Sequence, residues 1–249
     1  MLEQLVADAG IQTVVDTALI LLALIILETV LSADNAVALA ALVQPLPDLN
    51  QQQRALNWGL ATALGLRVVL LLTATWVMQF WQFEFVGALY LLWLSGKHFW
   101  QQFQAETAIA LDSPQPIAPS LWQIVPLIAL TDLAFSLDSV TTAVALSDRF
   151  WLVLIGCIIG IVTLRFLAAL FVRWLTEFTY LQDAAYLTVF AVGLRLLCKV
   201  MQPGIAPPDW IVFAMMAVLF TWGFSKREQT EVSVESTIGL KQGPLNQFD

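Results

Sequence analysis

Two pairs of acidic residues lie inside apolar stretches of this sequence, and the two pairs have the same spacing. With the polar residue that follows each aspartate, the two sets are Glu28, Asp34 and Asn35, then Asp132, Asp138 and Ser139. In both sets the aspartate comes six residues after the first acid, within a Ser-x-Asp-[Asn/Ser] sequence. A charged side chain at the centre of a bilayer costs at least ~2.5–3.5 kcal/mol, and such residues mark ion paths and proton relays. The acids are therefore the first candidates for function.

Helical geometry groups these residues into clusters of oxygen ligands. Residues six apart on a helix lie about 9 Å apart along the axis and roughly 120° apart around it, whereas residues seven apart share a face. Glu28 thus aligns with Asn35, and Asp132 with Ser139. Carboxylate, amide and hydroxyl oxygens suit Mn²⁺, Ca²⁺ or Mg²⁺ better than the softer Cu⁺ or Zn²⁺. Four carboxylates overcharge a divalent ion, so a further hypothesis is that protons replace it during the return step.

Basic residues in apolar stretches have two interpretations. Arg67 and Arg165 are predicted to neutralise the acids when no cation is bound, with an anion path as the alternative. Lys97 is predicted to extend towards the lipid headgroups, and a role as a gate is its alternative. If Arg195 joins the two arginines, the whole set could instead be a structural ion-pair network that only holds helices together.

The composition indicates a membrane protein. Apolar residues make up 59% of the 249 residues and charged residues 12%, whereas soluble domains average about 25% charged residues. The formal net charge of −8 arises partly in the tail, and the few scattered bases indicate no nucleic-acid partner. Cys157 and Cys198 stand alone and His98 is the only histidine, so neither a disulfide framework nor a soft-metal site is indicated. No permanent cofactor is expected; the partners are metal ions and the lipid bilayer, and homo-oligomers remain open.

Proline-rich connections divide the apolar sequence into seven predicted transmembrane helices, near 13–43, 57–79, 85–102, 119–147, 151–174, 183–201 and 209–225. Seven crossings put the two termini on opposite sides, and most bases outside the helices fall on the side of the C-terminal tail. The positive-inside rule then predicts a cytoplasmic C-terminus and an external N-terminus. The N-terminal residues lack the basic region of a signal peptide, so the first helix is expected to be retained.

The acidic motifs mark a repeat of three helices. Gly59 to Arg67 resembles Gly156 to Arg165, and an Ala-x-x-Leu stretch recurs in the third and sixth helices. Because a unit with an odd number of crossings inserts its second copy upside down, the predicted fold is all-α, with two inverted three-helix repeats and a C-terminal helix. The predicted organisation is 1–12 (short extracytoplasmic N-terminus), 13–102 (first repeat), 103–118 (cytoplasmic loop), 119–201 (second repeat), 209–225 (seventh helix) and 226–249 (disordered cytoplasmic tail).

The sequence resembles the TerC family of integral membrane proteins at both motifs, over roughly residues 14–225. The matching elements are Glu28-x₅-Asp34-Asn35 and Asp132-x₂-Phe135-Ser136-x-Asp138-Ser139. The resemblance implies a duplicated three-helix core related to lysine-exporter-like transporters, in a bacterial plasma (inner) membrane or a thylakoid-type membrane. It also implies that the six residues of the motifs named at the outset hold a cation. Several members of that family are associated with Mn²⁺ efflux, and its name comes from tellurium resistance, which we interpret as an indirect phenotype.

Three classes of function remain open at this point. The leading hypothesis is a divalent-cation transporter that exports Mn²⁺ from the cytoplasm. The second is an accessory protein that aids insertion or metallation of other membrane or exported proteins, with the tail or the 102–118 loop as contacts. The third is an intramembrane aspartyl protease, but neither Asp34 nor Asp138 follows a Gly-x-Gly sequence. No other catalytic motif is present, so the protein is not expected to be an enzyme.

Overall fold

The computed structural model describes residues 2–109, 119–146, 149–202, 204 and 207–227. Apart from one isolated β-bridge, the regular structure in these ranges is helical. The helices are α1 (Leu2–Val43), α2 (Leu49–Leu72), α3 (Ala74–Val77), α4 (Trp81–Ile109), α5 (Leu121–Leu146), α6 (Phe150–Glu177), α7 (Leu181–Met201) and α8 (Asp209–Gly223). The expected all-α fold is confirmed.

Several helix ends differ from the sequence prediction. Helix α1 begins at Leu2, so the N-terminal segment predicted as 1–12 is largely helical rather than a separate element. Helix α4 continues to Ile109 and takes up the first part of the predicted 103–118 loop. Polar turns at the ends of membrane helices are not part of the apolar stretch. The apolar pattern therefore predicted these two helices to be shorter than they are. Residues 110–118 of that loop and 228–249 of the predicted tail lie outside the described residues.

The composition of the helices suits a bilayer. Among the described residues, α2, α5, α6 and α7 are long and apolar enough to cross a membrane, and shorter apolar stretches occur at Thr17–Ile26, Ser32–Val43 and Trp210–Gly223. Large apolar side chains face outward: Trp122, Trp151 and Phe166 are 72–73% exposed. Water would not tolerate so much exposed apolar surface, whereas lipid does. The length and composition of the described helices thus support four membrane crossings, whereas the sequence predicts seven.

The second half of α1 forms the centre of the bundle. Residues 36–43 are all at most 4% exposed, and most are alanine or valine. Small side chains let neighbouring helices approach closely, which is how helices associate in lipid, where the hydrophobic effect is weak. The first half of α1 instead exposes Leu19, Leu22 and Ile26. The acidic motif lies where the exposed part of α1 gives way to the enclosed part.

The helices pack in a pattern that relates the two halves. The most extensive interfaces join α1 with α6, α2 with α5 and α4 with α7, and smaller ones join α1 with α5, α1 with α7 and α4 with α5. If α1 is swapped with α5, α2 with α6 and α4 with α7 in this list of interfaces, the same list results. Helix α8 packs mainly on α7 and has no counterpart in the exchange. We call α1–α4 the first half and α5–α7 the second half.

Candidate cation site

The aspartates of the two motifs line one cavity between the halves. It has a volume of about 300 Å³, and its polar wall includes Asp34 and Asn35 from α1 and Asp138, Ser139 and Thr142 from α5. Helix α8 supplies an apolar wall, with Val212, Phe213 and Met216. Glu28 also borders the cavity, so the structure brings together five of the six predicted ligands as one group along its wall. The eighth helix, which the repeat does not include, encloses that group.

The first acid of each motif, Glu28 or Asp132, is held by an arginine. Arg67 of α2 donates one terminal NH₂ group to Glu28 and the other to both carboxylate oxygens of Asp132, at 3.1 and 3.3 Å. All three residues are at most 7% exposed. We call Glu28, Arg67 and Asp132 the buried triad. Removal of one partner from a buried ion pair of this kind strongly destabilises the protein. Arg67 therefore holds Glu28 and Asp132 in place, and Glu28 also borders the cavity.

A glycine makes room for the buried triad. A Cβ atom on Gly160 of α6 would overlap Cγ of Glu28 and stand 2.8 Å from Oε1. No side chain tolerates such contacts, so this position accepts only glycine while Glu28 reaches Arg67. On the same helix, one turn earlier, a Cβ on Gly156 would stand an ordinary 3.5 Å from Leu24. On α6, glycine is thus required beside the Glu28 carboxylate at Gly160 but not one turn earlier at Gly156.

Asp138 faces two bases from α7. Nη1 of Arg195 lies 3.1 Å from Oδ2, and Nζ of Lys199 lies 2.5 Å from Oδ1. Residues four apart lie on the same helical face, which is why both bases reach one carboxylate. Nζ of Lys199 also lies 3.8 Å from Oε1 of Glu84 on α4. Lys199 therefore stands between two carboxylates and contacts Asp138 more closely.

Asp34 has a different environment. Within the described part of the chain, its one hydrogen bond comes from the backbone N–H of Asn35, at 3.0 Å. The residue is 9% exposed. Its carboxylate lines the same cavity as Asp138; no lysine or arginine side chain among the described residues lies within ion-pair distance of it, and Arg195 acts on it only from farther away. Asp34 is the acid that most needs a cation.

Arg165, which is predicted to neutralise the acids, and Lys97, which is predicted to extend towards the lipid headgroups, both lie away from the acids. Nε of Arg165 donates to Oδ1 of Asn57 on α2, at 2.5 Å. The Lys97 side chain is exposed, and its ammonium group lies 5.4 Å from the ring centroid of Trp93. Of Arg67, Arg165 and Lys97, only Arg67 contacts the acids.

Spacing explains why Arg165 does not repeat the role of Arg67. Gly59 and Gly156 occupy matching places, since each packs against the residue four positions before the first acid of the opposite half, Ile128 or Leu24. Arg67 comes eight residues after its glycine and Arg165 nine.

One extra residue turns a helix by about 100°. The position that matches Arg67 is therefore Leu164, which is completely buried, and Arg165 points away from the acids. The difference in spacing was visible in the sequence and is the reason for this correction.

Lys199 and Glu84 were missed as site residues. Lys199 lies near the end of α7 and contacts Asp138. The spacing of four between Arg195 and Lys199 was the available signal. Glu84 gave no signal, because its meeting with Lys199 depends on how α4 packs on α7.

The carboxylates are not gathered into a resident metal centre. Among the described residues, no three His, Cys, Asp or Glu side chains come close enough to hold a metal ion together. A transport site differs from such a centre, because it has to release its ion and can use hydroxyl, amide and water oxygens.

Comparison with known proteins agrees with the membrane architecture. A model of the integral membrane protein TerC family matches residues 14–230. Uncharacterized membrane protein YceF of Bacillus subtilis is 35% identical over 176 residues, which cover 70% of this chain and 68% of that protein. Uncharacterized membrane protein YkoY of the same organism is 35% identical over 194 residues, or 71% of this chain and 59% of YkoY. The inner membrane protein YgdQ of Escherichia coli is 28% identical over 207 residues, covering 77% and 85% of the two chains. No solved structure matches.

Proposed function

The chain belongs to the integral membrane protein TerC family, and from this premise we propose that it transports divalent metal cations across the membrane, with Mn²⁺ export from the cytoplasm as its main activity. The observation that carries the proposal is the cavity where Asp34 and Asp138 meet. Around it, Asn35, Ser139 and Thr142 add amide and hydroxyl oxygens. Hard oxygen ligands of this kind suit Mn²⁺, Mg²⁺ and Ca²⁺.

Charge balance favours two carboxylates as ligands rather than four. Arg67 holds Glu28 and Asp132, which leaves Asp34 and Asp138 available to the cavity. Two carboxylates match the formal charge of one divalent ion, while Arg195 stays beside Asp138. This removes the difficulty that four carboxylates would overcharge the ion.

Lys199 acts in this mechanism as a counter-ion that the cation replaces. Without bound cation, Lys199 and Arg195 neutralise Asp138. A divalent ion that enters between Asp34 and Asp138 repels the ammonium group, and Glu84 is the acceptor already nearby. A short side-chain movement from Asp138 to Glu84 then keeps both carboxylates paired. Return of protons or of Lys199 to the empty site completes the cycle.

The proposed topology is seven crossings in two inverted three-helix repeats, with the N-terminus outside and the C-terminus in the cytoplasm. The exchange of helix pairs between the halves supports this arrangement. So do the matching contacts of Gly59 with Ile128 and of Gly156 with Leu24. In inverted-repeat transporters the substrate site lies at the interface of the repeats, where this cavity is found.

The second candidate is an accessory role in inserting or metallating other membrane proteins, with tellurium resistance as an indirect phenotype. The ion pairs of Glu28, Asp132 and Asp138 favour it, since they are also what a structural network would show.

Flux measurements separate the two candidates. Purified protein in proteoliposomes is tested for uptake of Mn²⁺, Mg²⁺ and Ca²⁺ with and without a pH gradient. The transporter proposal expects Mn²⁺ flux that is lost in Asp34→Asn and Asp138→Asn and retained in Lys97→Met, which removes an exposed charge. Absence of flux for all three ions in folded wild-type protein would favour the accessory role.

A further inference from the structure

A second polar site lies on the outer surface, in a groove between α2 and α6. The groove has a volume of about 250 Å³, and its polar end is formed by Asn57 and Arg165. From that end it continues between apolar side chains, among them Leu64 and Ile161. One end of the groove is therefore charged, and the rest of it is apolar. The cation site does not use any of these residues.

The polar end of the groove lies where α2 enters the membrane. Before Asn57, α2 carries three consecutive glutamines and Arg54; after it the helix is almost entirely apolar up to Leu72. Trp58 follows directly and is 59% exposed. Tryptophan is enriched at the level of the lipid headgroups. The bond to Asn57 draws the guanidinium of Arg165, which extends from the middle of α6, towards this headgroup end of α2.

No acidic side chain among the described residues balances the charge of Arg165. Its one hydrogen-bonding partner among the described residues is the neutral amide of Asn57, which accepts from Nε at 2.5 Å. That bond fixes the plane of the guanidinium and leaves both terminal NH₂ groups available. A planar fork of two NH₂ groups matches two oxygens of a phosphate. An arginine beside lipid needs an anion, and phosphate is the anion found at this depth.

We propose that the groove between α2 and α6 binds an anionic phospholipid, whose phosphate contacts the terminal NH₂ groups of Arg165 and whose acyl chain lies along Leu64 and Ile161. Asn57 is a positioning residue that orients the guanidinium. The site is independent of the cation cavity, because Arg165 points away from the buried triad. It also gives a role to the arginine that the repeat left without an acidic partner.

Native mass spectrometry of delipidated protein, titrated with lipids of identical chains, tests the proposal. We expect wild-type protein to bind phosphatidylglycerol more tightly than phosphatidylcholine. In Arg165→Gln the affinity for phosphatidylglycerol should fall about tenfold, the effect of one charged hydrogen-bonding group. Arg173→Gln is the matched control: it removes an exposed arginine from the same helix outside the groove, and its lipid affinity should stay within about twofold.

A second variant, competition with inorganic phosphate and the oligomeric mass make the test independent of folding. Ala61→Phe fills the apolar part of the groove and should weaken lipid binding while leaving Arg165 in place. The proposal is overturned if Arg165→Gln and Ala61→Phe both bind phosphatidylglycerol like the wild type. It is also overturned if inorganic phosphate displaces the lipid, which would indicate a site for soluble anions. A change of oligomeric mass in either variant, with lipid binding unaltered, would identify the groove as an interface between copies instead.

Discussion

The two halves of the molecule carry the same acid spacing but surround their acids differently. Asp34 accepts one backbone hydrogen bond and has no basic partner among the described residues. Asp138, its counterpart across the cavity, is bound by both Arg195 and Lys199. If both aspartates had been paired, the cavity would have no place for an ion; if neither had been, the empty site would carry two uncompensated charges. One paired and one unpaired aspartate is an arrangement that can accept a cation by exchanging Lys199.

The arginines of the two halves differ in the same way. Arg67 lies at the centre of the buried triad, whereas Arg165, one residue out of register, bonds to Asn57 at the outer surface. The two halves thus share the packing pattern of their helices, while their arginines contact different groups. In the proposed function, Glu28 and Asp132 are the structural pair of acids, and Asp34 and Asp138 are the pair that binds the cation.

Exchange of the two arginines for leucine should have the largest effect. Arg67→Leu leaves two buried carboxylates without a cation, and we expect the free energy of unfolding to fall by about 3–5 kcal/mol. Arg165→Leu removes a partly exposed charge bonded to a neutral amide, so its effect should be within about 1 kcal/mol. Unfolding in detergent, followed by tryptophan fluorescence, measures both. Equal losses in the two variants would show that the halves do not differ as described.

Alanine substitution of two glycines on α6 sharpens the account of the triad. Gly160→Ala forces Glu28 to move, because the new Cβ would overlap Cγ of the glutamate. Overpacking of this kind costs about 1–3 kcal/mol of unfolding free energy. Gly156→Ala, one turn away, meets only ordinary contact and should be neutral or stabilising by up to about 1 kcal/mol. A Gly160→Ala protein as stable as Gly156→Ala would contradict the close approach of Glu28.

Removal of the competing ammonium group should strengthen cation binding. In Lys199→Met, Asp138 loses its closest basic partner, and the apparent affinity for Mn²⁺ should rise about tenfold, which corresponds to about 1.4 kcal/mol. Lys97→Met, an exposed lysine on α4, serves as the control and should leave the affinity unchanged. Isothermal titration calorimetry of the purified proteins provides the measurement. Weaker binding in Lys199→Met would mean that Lys199 organises the site rather than competing for it.

The sequence was sufficient for the parts of the structure that follow from periodicity. Apolar blocks and proline-rich connections predicted the helices, and the matched acidic motifs predicted six candidate residues, five of which line the cavity. It was insufficient where the outcome depends on packing between helices. Glu28 and Asp132 have the same residue types as the aspartates, and only the position of Arg67 on α2 separates structural from available acids. The difference of one residue between Gly59–Arg67 and Gly156–Arg165 was readable, but its meaning required the contacts of both glycines.

Binding of Mn²⁺ to purified protein, followed by the electron paramagnetic resonance signal of the free ion, tests the central claim most directly. The account predicts that wild-type protein binds Mn²⁺ and that Asp34→Asn abolishes binding while the protein stays folded and its thermal transition is retained. Asp132→Asn, in contrast, should lower the thermal transition yet leave Mn²⁺ binding in whatever protein remains folded. Retained binding in Asp34→Asn, with loss in folded Asp132→Asn, would contradict the division of the four acids into a structural and a functional pair.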